Sequence, residues 1–295
     1  MAEAETSRGG RPGRRPAALA HRGFSLDGHE NTMAAFRAAA DLGLLWLETD
    51  VHTTRDGVVV AFHDPSLERV TGTDGNVNDL TWEQLRTLRV GGEHGIPTLA
   101  ELLRGLPGAR LNIDVKDEAS VAALPRVIAD EGAADRVRVA SFSESRRRRT
   151  LAALTRLTGR RVQTSAGVLG TAGFLAVAAV APWTDRLSPR IAAALWRGHR
   201  RAWSRVVAPF DTLQLPERHV LELPLGGRFT VPVVTPGLLG FAHREGLSVH
   251  VWTVNEPTDM HRLLDMGVDG IVTDRADLLR DVLAARGQWP PDPQD

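Results

Sequence analysis

The sequence predicts an α/β protein with a (β/α)8 TIM barrel, and two observations carry this prediction. Short β-rich segments alternate with helical segments along most of the chain, which is the pattern of a parallel sheet. About eight such units in about 270 residues match the size of a (β/α)8 barrel. A doubly wound open sheet is the alternative, but the glycine-rich phosphate-binding motifs of its nucleotide-binding forms do not occur in the sequence.

The predicted elements follow one another with clear boundary signals. Asn31 is expected to cap the first helix, Gly43 to follow its end, and Thr81 to cap a later helix. A longer helical segment, 166–210, follows the fifth main strand and is predicted to be an insertion or a lid. The β-rich segments are 17–20, 46–51, 58–64, 110–115, 136–141, 161–166, 211–216, 248–254 and 270–274.

These elements divide the chain into one domain with two tails. Residues 1–16 are polar and rich in Arg, Pro and Gly, so we predict a disordered N-terminal tail. The barrel domain is predicted to span 17–287, and 288–295 to form a Pro-rich C-terminal tail. The first 16 residues lack the apolar core of a secretory signal, and the most apolar stretch is short of a membrane span. We therefore expect a cytoplasmic protein.

Composition excludes several classes of function. The chain has no cysteine, which rules out thiol nucleophiles, thiolate metal sites and disulfides. Acidic and basic residues balance at 36 each, and the net charge of zero argues against general nucleic-acid binding. Of the 36 basic residues, 35 are arginine and only Lys116 is lysine. A mechanism that needs a catalytic lysine therefore has a single candidate.

Charged and aromatic residues collect where the predicted strands end. The carboxyl ends of barrel strands meet at one face, which is where barrel enzymes carry their active sites. Glu48 and Asp50 are two apart on one strand, as are Asp114 and Lys116 on another, so each pair shares a face. The residues at these ends are His21, Arg22, Glu48, Asp50, His63, Asp114, Lys116 and Trp252.

Together these groups are suited to phosphodiester hydrolysis. Three carboxylates, Glu48, Asp50 and Asp114, are hard oxygen ligands for Ca²⁺ or Mg²⁺. Two histidines can act as general acid and base, and a cationic pair, Arg22 and Lys116, can bind one phosphodiester anion. The alternatives are that Glu48 and Asp50 lie on an exposed edge strand and that the histidines are structural.

Five segments resemble the signatures of the glycerophosphodiester phosphodiesterase family. In order along the chain they are AHRGFSLDGHENTMAAF (20–36), LETDVHTTRDGVVVAFHDPSLERVTG (47–72), NIDVK (112–116), VWTVN (251–255) and MGVDGIVTD (266–274). The resemblance implies a (β/α)8 barrel that needs a divalent metal, Ca²⁺ or Mg²⁺. It also implies the cleavage of glycerophosphodiesters to glycerol 3-phosphate and an alcohol.

The resemblance also implies individual roles. The paired catalytic histidines of the family correspond to His21 and His63, and its phosphate-binding arginine corresponds to Arg22. Its metal ligands correspond to Glu48, Asp50 and Asp114, followed by the lysine Lys116. Asp114 departs from the glutamate that many members carry, and its shorter side chain leaves direct coordination or a bridging water as alternatives.

Three further residues are expected to support the site. Glu30 and Asn31 are expected to begin the helix after the first loop, where Glu30 orients His21 or Arg22 or simply favours the helix dipole. Trp252 is expected either to line the substrate pocket or to be a packed core indole. The remaining histidines, such as His199 and His219, have no motif around them and are expected at the surface.

Segment 168–205 carries a basic, Trp-bearing helix pattern. Trp196 and Trp203 are seven residues apart with arginines between and beside them, as in helices that lie at an anionic membrane surface. The alternatives are an elaborated barrel helix that packs its Trp face inward, a lid or a partner-binding helix. The run Arg146 to Arg149 is expected to be a solvated face.

Three functions therefore remain open. The first is metal-dependent glycerophosphodiester hydrolysis with His acid/base catalysis. The second is lysophospholipase D or another phospholipid phosphodiesterase activity on the same barrel, supported by the apolar 166–210 segment. The third is an inactive barrel kept as a binding module, although every expected site residue is present.

Overall fold

The computed structural model describes residues 14–185, 188–222 and 227–291. The predicted disordered tail lies outside the described residues up to position 13, and so do the last four residues of the C-terminal tail. The strands are β1 Ala17–His21, β2 Trp46–Thr53, β3 Val59–Ala61, β4 Arg89–Val90, β5 His94–Gly95, β6 Arg110–Val115, β7 Val137–Ala140, β8 Gln163–Thr164, β9 Thr212–Pro216, β10 Arg218–Glu222, β11 Arg228–Pro232, β12 Ser248–Trp252 and β13 Gly270–Thr273. The α-helices are α1 Met33–Asp41, α2 Glu68–Thr71, α3 Trp82–Leu85, α4 Leu99–Gly105, α5 Ser120–Asp130, α6 Glu144–Thr158, α7 Val168–Asp185, α8 Pro189–Ala202, α9 Pro236–Arg244, α10 Pro257–Met266 and α11 Ala276–Ala285.

Eight parallel strands form a nearly closed barrel, which confirms the predicted fold. Their order around the barrel is β8, β7, β6, β2, β1, β13, β12 and β9. A parallel bridge between Ser165 and Thr212 joins the two ends of this order. The helices that alternate with the strands cover the outside, so the carboxyl ends of all eight strands meet at one face.

Strand β2 shows how the sequence pattern builds the barrel wall. It pairs with β1 on one side and β6 on the other, which excludes the alternative of an exposed edge strand. Leu47 and Val51 join the main apolar core, and Trp46 joins a separate cluster with the β1 residues Ala17 and Leu19. Because side chains alternate along a strand, Glu48 and Asp50 point to the same side as Trp46.

The segment predicted as a strand at 58–64 has a different role. Only Val59–Ala61 forms a strand, and β3 pairs antiparallel with the end of β2 rather than joining the barrel path. A small apolar cluster that includes Phe62 and Leu67 holds this excursion together. His63 therefore reaches the barrel mouth from a hairpin, and its predicted position at the end of a barrel strand is wrong.

The long connection after the fifth barrel strand, β8, consists of two helices, α7 and α8. Trp196 is buried against Phe174 at a ring distance of 5.1 Å, whereas Trp203 is 45% exposed. His199 stacks between the two indoles, so it is not a free surface histidine. No helix among the described residues is long and apolar enough to cross a membrane.

Arg147 departs from the expectation that the arginine run 146–149 is a solvated face, whereas Arg148 and Arg149 are exposed as expected. Its side chain is fully buried and pairs with Glu144 at 2.5 Å. It also donates to the carbonyl oxygen of Ala208 at 2.6 Å, and Glu144 accepts from the Ala208 amide at 2.9 Å. This buried pair fixes the end of the α7–α8 insertion to the barrel, because a buried charge is stable only when it is paired and hydrogen-bonded.

Candidate active site

A cavity of about 720 Å³ opens at the carboxyl ends of the barrel strands. Eight of the ten predicted site residues line it, while Glu30 and Asn31 lie behind them. The eight are His21, Arg22, Glu48, Asp50, His63, Asp114, Lys116 and Trp252.

Asp50 and Asp114 face each other because β2 and β6 are in register at these two residues. Lys116 lies two residues beyond Asp114, and its Nζ is 2.9 Å from Asp50 Oδ1 and 2.7 Å from Asp114 Oδ2. Burial alone raises the pKa of Asp50, but Lys116 and Arg22 outweigh it, and its pKa is lowered. Burial prevails at Asp114, whose pKa is raised. The buried Oδ1 of Asp114 has no hydrogen-bond partner among the described residues.

Glu48 is the most perturbed carboxyl group of the site. Burial, followed by the charge of Asp50, raises its pKa to about 8. Its Oε2 accepts from the backbone amide of Arg22 at 3.2 Å and lies 3.9 Å from His21 Nε2. The carboxyl would therefore be largely protonated at neutral pH unless a further positive charge were close.

Arg22 contacts both a carboxylate inside the cavity, Asp50, and a carboxylate outside it, Glu30. Its backbone has a φ of 55°, a left-handed conformation that is rare for a non-glycine residue. Its Nε lies 3.1 Å from Asp50 Oδ2, and its NH1 donates to Glu30 Oε1 at 3.0 Å. The left-handed backbone at Arg22 thus directs the guanidinium into the cavity mouth, and Glu30 holds its NH1 group.

Each of the two histidines is paired with an aspartate. His21 Nδ1 lies 2.7 Å from Asp274 Oδ1, and Asn255 donates to the other oxygen of Asp274 at 2.8 Å. His63 Nδ1 lies 2.6 Å from Asp64 Oδ1. An aspartate on Nδ1 leaves Nε2 available to the cavity and fixes the tautomer of the ring.

The Asp274 pair also changes the protonation of His21. Burial alone lowers the pKa of His21, but the hydrogen bond to Asp274 and the charge of Glu48 outweigh it, and its pKa is raised. The pKa of Asp274 is lowered, because its hydrogen bonds to His21 and Asn255 outweigh its burial.

Glu30 and Asn31 precede the first helix, so the prediction that they begin it is wrong. Thr32 is the N-cap, and its side chain accepts from the amide of Ala35. Asn31 has a φ of 56°, accepts a hydrogen bond from Thr49 at 2.8 Å and donates to Asp50 at 3.5 Å. An N-cap needs extended backbone, which this left-handed residue does not have.

Glu30 contacts Arg22 rather than His21, and it also binds Arg69 at 2.6 Å. Arg69 in turn donates to Asp64, the partner of His63. These contacts form a chain of alternating charge from Arg22 through Glu30, Arg69 and Asp64 to His63. Glu30 therefore links the loop that carries Arg22 to the hairpin that carries His63.

Sequence reasoning missed several groups that complete the site. Asp64 follows His63 directly, and Asp274 directly follows the last barrel strand, so its position after a strand end was a usable signal. His52 lies 3.1 Å from the carbonyl oxygen of His63 and 3.2 Å from Asp117, which makes it a support of the His63 backbone. His219 is exposed, as expected, and it also lines the cavity, although no motif surrounds it.

One wall of the cavity is apolar. Trp252 meets Phe142 edge to face at 6.2 Å, which agrees with its predicted place in the pocket. Helix α7 adds Val168 and Leu175 to the same wall, and Val233 follows the β10–β11 hairpin, which the sequence did not predict. The opposite side is a carboxylate floor formed by Glu48, Asp50 and Asp114. This floor and the apolar wall come from different parts of the chain.

Comparison with known proteins agrees with this geometry. The model of the glycerophosphoryl diester phosphodiesterase family matches residues 21–278. The chain belongs to this family. Its members are phosphoric diester hydrolases, and this chain is an enzyme of that class.

Two curated relatives cover most of the chain. A Mycobacterium tuberculosis protein described as "Probable glycerophosphodiester phosphodiesterase 2" is 45% identical over 92% of each chain. A human lysophospholipase D is 26% identical over 90% of this chain and 85% of its own length.

Two solved structures share the fold. A Silicibacter pomeroyi protein assigned to the same enzyme class has a TM-score of 0.67 and 25% identity, and the alignment covers 94% of this chain and 96% of that one. An Oleispira antarctica phosphodiesterase in complex with the product sn-glycerol-3-phosphate has a TM-score of 0.67 and 20% identity, with 92% and 97% covered.

Proposed function

We propose that this protein hydrolyses glycerophosphodiesters to glycerol 3-phosphate and an alcohol. The observation that carries the proposal is a pair of His–Asp couples, His21–Asp274 and His63–Asp64, at the mouth of a cavity with a carboxylate floor. The Oleispira antarctica phosphodiesterase, whose solved complex holds sn-glycerol-3-phosphate, supports the same product chemistry.

The carboxylate set Glu48, Asp50 and Asp114 is proposed to hold a divalent cation, Ca²⁺ or Mg²⁺. Two observations fit such a cation: the buried, unpartnered Oδ1 of Asp114 and the pKa of Glu48 raised to about 8. Hard oxygen donors of this kind suit both ions. When bound, the cation would supply Lewis-acid stabilisation of the charge on a phosphate oxygen.

The protein's own groups perform the remaining steps. Arg22 and Lys116 bind the phosphate anion at the rim of the carboxylate floor. One histidine takes the proton of the nucleophile as its oxygen bonds to phosphorus, and the other protonates the alkoxide as the phosphorus–oxygen bond breaks. Asp274 and Asp64 orient the two rings, and Asp274 also favours the protonated form of His21.

The nucleophile is either water or the 2-hydroxyl of the glycerol moiety. Attack by the 2-hydroxyl would release the alcohol first and leave a cyclic phosphate that water then opens. Phosphorus NMR of an early time point distinguishes the two routes, because only the second accumulates the cyclic product.

A second candidate substrate is a lysophospholipid. The apolar wall of Phe142, Val168, Leu175 and Trp252 exceeds what a small glycerol head group requires, and it offers a surface for an acyl chain. The human relative carries the name lysophospholipase D. On this reading the same catalytic groups cleave the same bond of a larger substrate.

One hydrolysis panel separates these candidates from an inactive barrel. Wild-type protein is supplied with Ca²⁺ or Mg²⁺ and offered glycerophosphocholine, glycerophosphoethanolamine, glycerophosphoglycerol and lysophosphatidylcholine. Glycerol 3-phosphate from the first three supports the proposal, while lysophosphatidic acid from the last supports the second candidate. No turnover of any substrate would contradict both and favour a binding module.

The insertion is proposed to make peripheral membrane contact through 168–205. Trp183 is exposed on α7, and Leu195 and Trp203 are exposed on or directly after α8, which also carries exposed arginines. This combination suits a surface that carries anionic lipids. The charge of the arginines would draw the apolar side chains to the headgroup region.

Flotation with anionic liposomes tests this contact. The double variant Arg200→Gln with Arg201→Gln should bind less than wild type, whereas the control Arg86→Gln with Arg104→Gln should not differ. Equal flotation of all three proteins would contradict the proposal. Fractionation of cells that express the protein tests the predicted cytoplasmic location in the same series.

A further inference from the structure

We propose a second metal site, of the zinc type, outside the catalytic cavity. His29, Glu93 and His94 each offer one ligand atom, and these atoms all lie within 4.8 Å of one another. His29 belongs to the loop between β1 and α1, and the other two belong to the β4–β5 hairpin. Two imidazoles and one carboxylate, with water in the remaining position, are a ligand set that Zn²⁺ accepts.

The backbone holds His29 in place for this role. Its amide donates to Ser25 Oγ at 3.0 Å, and its carbonyl oxygen accepts from Thr32 Oγ1 at 2.9 Å. Its ring meets the ring of His94 edge to face with centroids 5.0 Å apart. Both imidazoles are thus positioned beside each other before any ion binds, which reduces the ordering cost of binding.

The hairpin is shaped to accept the imidazole of His29. Gly91 has a φ of +59°, and a Cβ atom built on it would lie 2.2 Å from His29 Nε2. Only glycine allows this close approach, and the turn it forms presents Glu93 and His94 to His29. Glu93 Oε2 lies 3.9 Å from His94 Nε2, so the carboxylate is already beside one of the two rings.

The position of the cluster indicates what the ion would do. The amide of Gly91 donates to the carbonyl oxygen of Val70, so the hairpin is bonded to the helix that carries Arg69. His29 is adjacent to Glu30, which binds Arg69 at 2.6 Å. An ion at this cluster would therefore fasten the Arg22–Glu30 loop to the segment that supports Asp64 and His63.

Zinc binding to the full-length protein tests the proposal. The protein is treated with chelator, and Zn²⁺ is titrated against a chromophoric competitor for wild type, His94→Ala, Glu93→Gln and the control His261→Ala. We expect wild type and the control to bind one more tight equivalent than either cluster variant. Asp50→Asn, which alters the catalytic carboxylates instead, should retain that equivalent.

Two further readouts keep the result independent of folding and of the catalytic site. Circular dichroism verifies that each variant is folded, and Glu93→Gln preserves size and shape. A zinc-edge anomalous difference peak among the three side chains would support the site. The same zinc stoichiometry in wild type and both cluster variants, or no such peak in zinc-soaked crystals, would overturn the proposal.

Discussion

The two sides of the cavity differ in the charge of their side chains and in the elements that supply them. On the β1–β2–β6 side, charged groups come from neighbouring strand ends, and the register of Asp50 with Asp114 determines how they meet. On the α7 side, apolar side chains such as Val168 and Leu175 come from an insertion with no counterpart in a minimal βα unit. In the proposed mechanism the strand side supplies the reacting groups, and the insertion side is where substrate choice can vary without disturbing them.

This difference also explains how much could be predicted from the sequence. Glu48 and Asp50 were predictable because the period of a strand places residues two apart on one face, and the barrel brings strand ends together. The insertion was predictable only as helical, since which of Trp196 and Trp203 is buried depends on packing against Phe174 and neighbouring groups. Local pattern determines the first case and tertiary contacts determine the second.

The errors share one physical cause. Asn31 is of a residue type that is favoured at helix N-caps, yet its left-handed backbone is determined by contacts with Thr49 and Asp50. Arg147 lies in a run of arginines, yet its burial depends on Glu144 and the carbonyl oxygen of Ala208. Thr49, Asp50 and Ala208 are in contact with these residues but distant in sequence, so a local pattern carries no information about them.

The largest expected effect comes from removing either histidine on the strand side. His21→Ala and His63→Ala should each lower kcat by at least about 10³-fold, since general acid/base catalysis is typically worth 10²–10⁴-fold. Steady-state hydrolysis of glycerophosphocholine measures this, with circular dichroism to verify folding. His261→Ala on α10 serves as the control and should retain wild-type kcat. Near-wild-type turnover in either site variant would refute the acid/base assignment.

A substitution that keeps the charge of Lys116 tests the geometry of the carboxylate floor. Lys116→Arg should lower kcat about 100-fold, because a planar guanidinium does not fit where Nζ lies 2.9 Å and 2.7 Å from two carboxylates. Arg149→Lys, an exposed change in the opposite direction, should have no effect on the same assay. If Lys116→Arg keeps most of its activity, only the positive charge matters at this position.

Asp274→Asn tests the His21 couple through its pH dependence. The hydrogen bond that His21 donates to Asp274 raises the pKa of His21, so its removal should shift the His21 limb of the kcat/KM profile to lower pH. The loss of ring orientation should also lower kcat by about 10-fold or more. Asp277→Asn, on the next helix, should leave the profile unchanged. If the limb of the pH profile is not shifted in Asp274→Asn, then Asp274 does not raise the pKa of His21.

Asp117→Asn tests stability rather than catalysis on the strand side. Hydrogen bonds from His52, Thr53 and Ser120 outweigh burial and lower the pKa of Asp117 to about 2, from 3.8. This stabilisation is present above pH 3.8 and is lost as the pH falls towards 2. We expect the free energy of unfolding to decrease by about 1–2 kcal/mol at pH 7, and the difference to vanish only as the pH falls below 2.

Urea titrations across this pH range measure the Asp117 effect. The exposed control Asp281→Asn should change the free energy by less than about 0.5 kcal/mol. A difference between wild type and Asp117→Asn that stays constant with pH would mean that packing, and not the lowered pKa, is responsible.

The smallest effect is expected on the insertion side. Val168→Ser should raise KM for lysophosphatidylcholine by about 3- to 10-fold, through the loss of about 1 kcal/mol of apolar contact. It should leave glycerophosphocholine hydrolysis unchanged. Val180→Ser, exposed on the same helix but away from the cavity lining, is the matched control. If Val168→Ser affects both substrates equally, then the insertion side of the cavity does not act on substrate choice alone.

The measurement that tests the central claim most directly is the release of glycerol 3-phosphate from glycerophosphocholine by chelator-treated protein. We expect no turnover after chelation, recovery on addition of Ca²⁺ or Mg²⁺ to wild type, and no recovery in Glu48→Gln or Asp50→Asn. Full activity after chelation, or wild-type recovery in either variant, would contradict it.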